Sequence, residues 1–226
     1  MPGDADIAAV ASLLADRSRA SICQALLDGR FRTAGELAGA AAITPSTASE
    51  HLSRLLAGGL VEVTRQGRHR YYRLAGPDVA AALEALGALA PARPVNGLRE
   101  STAGAALRVG RTCYDHLAGQ LGVAVTQGLV RAGVLNRDLA VVDVAALEPF
   151  GVALPQGSRR PLVRPCVDWT ERCYHVAGAL PAALTTAMFE RGWLTRVGRG
   201  RAVRLSDSGR AELHWLFAES AAAQSA

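Results

Sequence analysis

The chain has 226 residues, half of them apolar, and a formal net charge of +5. This length allows two domains with buried cores, so the four cysteines do not indicate a small disulfide scaffold. No apolar run approaches the roughly 20 residues of a membrane helix, and the N-terminus lacks the basic segment of a signal peptide. The sequence therefore predicts a cytoplasmic protein with free thiols and no membrane partner.

The first forty residues contain the pattern of three short helices. An apolar stripe over residues 7–14 indicates the first helix. Asp16 can cap the second, and Gly29 ends it. Thr33 is the expected cap of a third helix over residues 34–41.

A fourth helix begins at Thr44, which suits an N-cap, and Pro45 suits the first helical position. Apolar residues recur along one side up to Gly58, which completes a helix-turn-helix. Small polar and charged groups on the other side suit base edges and phosphates in a major groove. The predicted contacts are Ser46, Thr47, Ser49, Glu50, His51 and Arg54.

Two alternating segments, 61–64 and 70–74, predict a β-hairpin around a turn at Gln66-Gly67. This hairpin is strongly basic, which suits contact with double-stranded DNA through its backbone or minor groove. We call residues 61–74 the wing. Its predicted DNA contacts are Arg65, Arg68, His69 and Arg70.

The helix expected after Pro77 carries more apolar residues than an isolated surface helix needs. Pairing with its copy, and with the first helix, would bury this stripe in a homodimer. A two-fold dimer would also place two recognition helices one DNA turn apart.

Residues 6–90 resemble the winged-helix core of the ArsR/SmtB family of dimeric bacterial repressors. The resemblance rests on ADRSRASICQALLDG, AGELAGAAAITPSTASEHLSRLLAGGLVE and RQGRHRYYRL. It implies promoter binding relieved by an inducer, with Ser49 and His51 as the leading helix contacts. The chain departs from the usual inducer sites: residues 36–39 lack the Cys-x-Cys motif, and the helix after Pro77 has no histidine. Cys23 replaces a core aliphatic residue and is expected to pack.

The sequence predicts a DNA-binding and dimerisation domain over 1–90, a proline-containing linker over 91–98, and a second domain over 99–226. In that domain, residues 116–137 align without gaps on residues 175–196, with nine identities in 22 positions. Both copies echo the helix-turn-helix. The expected fold class is therefore mainly α with small β-wings (α+β): a winged helix-turn-helix followed by degenerate winged-helix-like repeats.

These repeats favour dimerisation or effector sensing over a second DNA reader, because their helix region is shorter than the recognition helix region and lacks its polar row. A basic segment after the second copy keeps DNA contact open as the alternative. It contains Arg196, Arg199, Arg201 and Arg204.

Cysteine and histidine side chains cluster around both repeats. Spacing predicts Cys113 and His116 on one face of a helix, and a capping box at Asp168 places Cys166 just before a second helix and Cys173 inside it. Pseudosymmetry would bring His116 and His175 face to face. The expected sensing residues are Cys113, His116, Cys166, Cys173 and His175.

Thiolate and imidazole ligands suit Zn²⁺, Cu⁺ or another soft ion, and thiols near arginine also suit a redox switch. A purely structural role, and an organic effector bound by aromatic residues, stay open as alternatives. The competing class is an enzyme with a Cys/His active site. No phosphate-binding loop or hydrolase motif accompanies those residues, so the sequence favours a homodimeric transcriptional repressor.

Overall fold

The computed structural model describes residues 4–91, 98–152, 154, 160–198 and 200–217. The chain divides into two compact units, one up to Leu83 and one from Glu84. Most of the predicted linker lies outside the described residues, as does Arg199. The predicted domain boundaries therefore stay a prediction. No helix in the described part is long and apolar enough to cross a membrane.

The first unit is built from short helices and one antiparallel sheet. The elements are α1 (Ile7–Leu14), α2 (Arg17–Leu26), β1 (Arg32–Thr33), α3 (Ala34–Ala41), α4 (Pro45–Ala57), β2 (Val61–Gln66), β3 (His69–Leu74) and the start of α5 (Pro77–Leu89). Asp16, Thr33 and Thr44 accept backbone N–H groups as N-caps of α2, α3 and α4. The local signals in the sequence thus set these helix starts.

The sheet has the strand order β1-β3-β2, and the wing is its long hairpin. Gln66 pairs with His69, so the predicted turn at Gln66-Gly67 is wrong by one residue and lies at Gly67-Arg68. Gly67 has a φ of 57°. A positive φ at the first turn position matches the right-handed twist of a tight hairpin and favours glycine there.

Helix α4 is held by a fully buried apolar row. Ala48, Leu52 and Leu55 have no exposed surface, and neither has Cys23 on α2, which packs as expected. The other face of α4 is left free for contacts outside the unit.

The second unit alternates hairpins and helices. Its elements are α6 (Leu98–Val109), β4 (Arg111–Cys113), β5 (His116–Ala118), α7 (Gly119–Arg131), a 3-10 helix (Ala145–Phe150), β6 (Arg164–Val167), β7 (Tyr174–Ala177), α8 (Ala179–Glu190), β8 (Leu194–Arg196), β9 (Val203–Leu205), α9 (Asp207–Glu212) and α10 (His214–Phe217). Among the described residues of this unit, the strands form three two-stranded sheets, β4-β5, β6-β7 and β8-β9. Helices with small antiparallel sheets confirm the α+β class.

The core of this unit lies between α7, α8 and the C-terminal helices. Leu129, Leu180, Met188 and Leu216 are at most 1 % exposed. This core lies beside the strands β5 and β7, because Leu117 and Val176 belong to it. The hairpins β4-β5 and β6-β7 are therefore anchored to this core through their second strands.

Three local predictions for this unit are wrong. Cys113 and His116 lie on adjacent strands instead of one helix. No helix contains Cys173, because residues 168–173 form turns before β7. Helix α7 has 13 residues, as many as α4, so it is not shortened. Both aligned segments do start with a strand that leads into a helix, and their descent from winged-helix repeats stays a prediction.

Candidate nucleic-acid interface and metal centre

The outer face of α4 presents hydroxyl, carboxylate and guanidinium groups. Ser46, Ser49, Glu50 and Arg54 are exposed, whereas Thr47 is half-buried. The Ser49 hydroxyl donates to the Pro45 carbonyl at 2.9 Å, which leaves its oxygen as an acceptor. This face combines the donors and acceptors that major-groove base edges require.

His51 is turned toward its own unit. Its Nε2 lies 3.8 Å from Asp16 Oδ1, and its side chain is 14 % exposed. Asp16 is the N-cap of α2, and the Arg19 N–H bond lowers the pKa of that carboxyl. His51 is therefore placed to hold α4 against α2. A DNA contact by His51 would compete with this interaction.

The wing tip gathers positive charge, and no acidic side chain among the described residues of its unit pairs with Arg65, Arg68 or Arg70. Arg65 and Arg70 are directly opposed on β2 and β3, and both are exposed with Arg68 and His69. Like charges opposed across strands destabilise a hairpin. By contrast, Arg73 pairs with Glu62 and stacks over Phe31. The wing tip is therefore a site where phosphate groups would relieve repulsion.

Four side chains in the second unit converge to form a cluster that we call the four-residue site: Cys113, His116, Cys166 and His175. Cys113 pairs with His116 across β4-β5, and Cys166 pairs with His175 across β6-β7. One ligand atom from each residue lies within 4.8 Å of all the others. Each hairpin thus supplies one thiol and one imidazole.

The distances fit a tetrahedral ion. The sulfur atoms of Cys113 and Cys166 are 4.0 Å apart, and the Nε2 atoms of His116 and His175 are 3.2 Å apart. Zinc bond lengths of about 2.3 Å to sulfur and 2.0 Å to nitrogen imply edges of about 3.8 Å and 3.3 Å. Two thiolates and two imidazoles therefore surround a space of the right size.

The four-residue site is closed. Its members are exposed by 1 % (Cys113), 3 % (His116), 8 % (Cys166) and 0 % (His175). A closed set of four protein ligands is typical of zinc sites that stabilise a fold or regulate it, whereas catalytic sites keep an open position.

Charge within the site is distributed unequally between the two thiols. The hydrogen bond from Cys113 lowers the pKa of Cys166 despite burial, and His116 and His175 lower it further. The same hydrogen bond, with burial, raises the pKa of Cys113. Burial opposes protonation of His116, but Asp115 and Cys166 raise its pKa overall. Cys166 is thus the readier thiolate ligand.

A carboxylate lies next to the Nδ1 atom of each histidine in the four-residue site. Asp115 Oδ1 is 3.3 Å from His116 Nδ1, and Asp168 Oδ2 is 3.4 Å from His175 Nδ1. Each carboxylate is paired with an arginine, Asp115 with Arg160 and Asp168 with Arg111. Carboxylates in this position commonly orient metal-binding histidines.

The structure groups four of the five sensing residues predicted from the sequence and excludes the fifth. It brings four of them together and leaves Cys173 exposed outside the four-residue site. Sequence reasoning missed the role of Asp115 and read Asp168 as a helix cap. An acidic residue directly before His116 was the available signal for the first, and no spacing rule pointed to the second.

The three described arginines of the basic segment after the second repeat make contacts within their own unit. Arg201 pairs with Glu84, Arg196 stacks over Phe189, and Arg204 donates to Thr195. These contacts favour a structural role for the segment over a second DNA interface.

Known proteins resemble both parts of the chain. The helix-turn-helix domain family matches residues 14–64. YdfF of Bacillus subtilis (strain 168), an uncharacterized HTH-type transcriptional regulator, is 45 % identical over 212 residues, covering 91 % of this chain and 94 % of YdfF. The HTH-type regulator CmtR of Mycobacterium tuberculosis is 43 % identical over 77 residues, covering 34 % of this chain and 64 % of CmtR.

A solved structure resembles the first part. The winged helix-turn-helix fragment of Mb0332 from Mycobacterium bovis, described as homodimeric and as a possible ArsR-family regulator, is 35 % identical, covers 39 % of this chain and 89 % of the fragment, and has a TM-score of 0.35. The extended match with YdfF covers both units of the chain. The chain therefore belongs to the HTH-type transcriptional regulators, and its first unit has the winged helix-turn-helix elements that the sequence predicts.

Proposed function

We propose that this regulator is a homodimeric, cytoplasmic repressor whose operator binding is controlled by a thiophilic metal ion in the four-residue site. The observation that carries the proposal is the convergence of four buried donor atoms from two hairpins. Zn²⁺ and Cd²⁺ suit this set because both accept tetrahedral sulfur and nitrogen ligands. CmtR is described as a cadmium metal sensor. It aligns with a third of this chain, so the position of the site rests on the geometry.

The exposed residues of α4 and the wing are the proposed contacts with double-stranded operator DNA. Ser46, Ser49, Glu50 and Arg54 would read the major groove, and Arg65, Arg68, His69 and Arg70 would contact phosphates or the minor groove. Their exposure supports this assignment. Thr47 and His51 are assigned weaker roles because both are partly buried.

Exposed apolar residues support dimerisation. Helix α1 has no buried residue, and Ile7 and Val10 are 76 % and 44 % exposed. Leu86 and Leu89 of α5 are 50 % and 84 % exposed. A second copy would cover these side chains and supply the second half of a symmetric DNA site.

A redox sensor is the second candidate function. The two sulfur atoms at 4.0 Å are close enough to join after a small movement, and the low pKa of Cys166 favours the reactive thiolate. An enzyme is disfavoured because the closed four-residue site offers a substrate little access. We infer that the thiols regulate and do not catalyse.

The test compares full-length protein after chelator treatment with protein reloaded with Zn²⁺, Cd²⁺ or Co²⁺. DNA selected from a random pool provides the operator probe. We expect one ion per chain, sulfur-to-cobalt charge-transfer bands, and an operator affinity that differs between the two forms. Transcription in vitro from a promoter carrying the selected sequence should fall when the protein binds.

Two variants sharpen the test. Cys113→Ser should abolish tight metal binding and the response of DNA affinity to metal, whereas Cys173→Ser should change neither, because Cys173 is exposed and outside the four-residue site. Absence of metal binding, or equal DNA affinity with and without metal, would refute metal control and leave the redox candidate. Binding of the selected DNA, with or without metal, is a separate test of the proposed winged-helix interface.

A further inference from the structure

Asp168 is a buried carboxylate with an unusual number of partners. Its Oδ1 accepts hydrogen bonds from Arg111 at 3.0 Å and from the Thr170 hydroxyl at 2.6 Å. Its Oδ2 accepts the Gly119 N–H at 2.6 Å. The side chains of Asp168 and Arg111 have no exposed surface. The carboxylate is therefore fixed in position from several directions.

His175 faces this carboxylate with one ring nitrogen and the four-residue site with the other. Its Nδ1 is 3.4 Å from Asp168 Oδ2, and its Nε2 is 3.2 Å from His116 Nε2. In the described part of the chain, Nδ1 is buried without a hydrogen-bond partner. A small movement of the His175 ring toward the fixed carboxylate would give a proton on this buried nitrogen its hydrogen-bond acceptor.

A histidine can bind an ion through Nε2 only if that atom carries no proton. In the neutral ring the proton must then lie on Nδ1, and an acceptor beside Nδ1 selects this tautomer. The Nε2 atoms of His116 and His175 are 3.2 Å apart. For both rings to bind one ion through these atoms, neither Nε2 can carry a proton.

We propose that Asp168 is the positioning residue of the four-residue site, holding His175 with Nδ1–H toward the carboxylate and Nε2 toward the metal ion. The inference rests on the proposed metal function and goes beyond it. Asp168 also links the ligand His175 to Arg111, two residues before the ligand Cys113, and to Gly119 at the start of α7. One side chain thus connects both hairpins around the ion.

Asp115 provides an internal comparison. It lies 3.3 Å from His116 Nδ1, but its side chain is 30 % exposed and its main partner is Arg160. Water can replace a partly exposed acceptor, whereas it cannot reach Asp168. We expect Asp168 to contribute more to metal affinity than Asp115.

The first measurement uses the wild-type full-length protein loaded with Zn²⁺. Long-range ¹⁵N–¹H correlation spectra of the histidine rings report which nitrogen carries the proton and which binds metal. We expect His175 to bind through Nε2 and to keep its Nδ1 proton. Coordination through Nδ1, or a proton on Nε2, would overturn the proposal without any variant.

The second measurement compares metal affinities by competition with a chromophoric chelator. Asp168→Asn should weaken Zn²⁺ binding by about 10-fold to 100-fold, the usual range for such outer residues, and Asp115→Asn should weaken it less. Asp115→Asn is the matched control, because it makes the same change at the carboxylate beside the other histidine. A loss in Asp168→Asn no larger than in Asp115→Asn, or no loss at all, would refute positioning by Asp168.

The outcomes separate the two proposals. Wild-type protein that binds no ion would refute the metal function and this inference together. Wild-type protein that binds tightly, with Asp168→Asn binding equally well, would refute only the inference. If Asp168→Asn does not fold, the wild-type spectra decide.

Discussion

Cys113 and Cys166 place their sulfur atoms 4.0 Å apart, each on the first strand of its own hairpin and each opposite a histidine. This separation is close to the edge of a tetrahedral zinc site and about twice the length of a disulfide bond. The two thiols therefore have two possible chemical fates, sharing an ion or joining to each other. The same pair cannot do both.

A hydroperoxide should thus oxidise the chelator-treated protein and spare the metal-loaded protein. The Cys166 thiolate would attack one oxygen of hydrogen peroxide and form a sulfenic acid, and the hydroxide released would take a proton from solvent to give water. The Cys113 thiol would then attack the sulfenic sulfur and release a second water as the disulfide forms. Peptide mass mapping measures the product. We expect a Cys113–Cys166 disulfide that is unaffected by Cys173→Ser. Equal oxidation of both forms, or a disulfide through Cys173, would contradict this.

Removal of charge from the wing tip should weaken binding to all DNA sequences. Arg68→Ala is expected to reduce the slope of log affinity against log salt by about one, because one phosphate contact is lost. Arg73→Ala is the matched control, since Arg73 is already paired with Glu62. An unchanged slope for Arg68→Ala would remove this residue from the phosphate contacts.

Base reading should depend on Arg54 more than on His51. Arg54 is exposed on the outer face of α4, whereas His51 lies 3.8 Å from Asp16. Arg54→Ala should reduce the preference for selected over random DNA by about 1–3 kcal/mol. His51→Gln should lower the free energy of unfolding more than it lowers that preference. The opposite pattern, measured by competition binding and urea unfolding, would make His51 the reader.

The first unit could be predicted from its sequence almost element by element because its signals are local. Thr33, Thr44 and Pro45 define helix starts through contacts within four residues, and the observed caps follow them. The predicted position of the hairpin turn is wrong by one residue, because Gln66 suits a turn or a strand end equally well. Only the pairing of Gln66 with His69 decides between them.

The second unit was harder to predict because its site is made by contacts between distant residues. Spacing alone fits Cys113 and His116 to a helix face, yet a positive φ at Tyr114 turns the chain and pairs the two residues across strands. Asp168 has the spacing of a helix cap, but its partners Arg111 and Gly119 lie 57 and 49 residues away. The aligned segments predict that His116 and His175 face each other, and their Nε2 atoms lie 3.2 Å apart.

Gly119 joins the first hairpin to α7 in a conformation that only glycine adopts easily. Its φ is +74°, and an added Cβ would lie 2.6 Å from the Arg108 carbonyl oxygen. Gly133 is the matched control, with a φ of +75° and no described atom within 4 Å of such a Cβ. Alanine in this backbone region costs about 1–2 kcal/mol at either position. The close carbonyl adds a further cost at Gly119 alone.

Gly119→Ala should therefore lower the free energy of unfolding of the second unit by more than Gly133→Ala. All three tryptophans belong to this unit, so their fluorescence during urea unfolding reports on it. Because the Gly119 N–H binds Asp168, a shift of this backbone should also weaken metal binding, whereas Gly133→Ala should leave it unchanged. Equal losses of stability in the two variants would show that the hairpin yields to the added methyl group. An unchanged metal affinity in Gly119→Ala would show that the backbone at the start of α7 does not influence metal binding in the four-residue site.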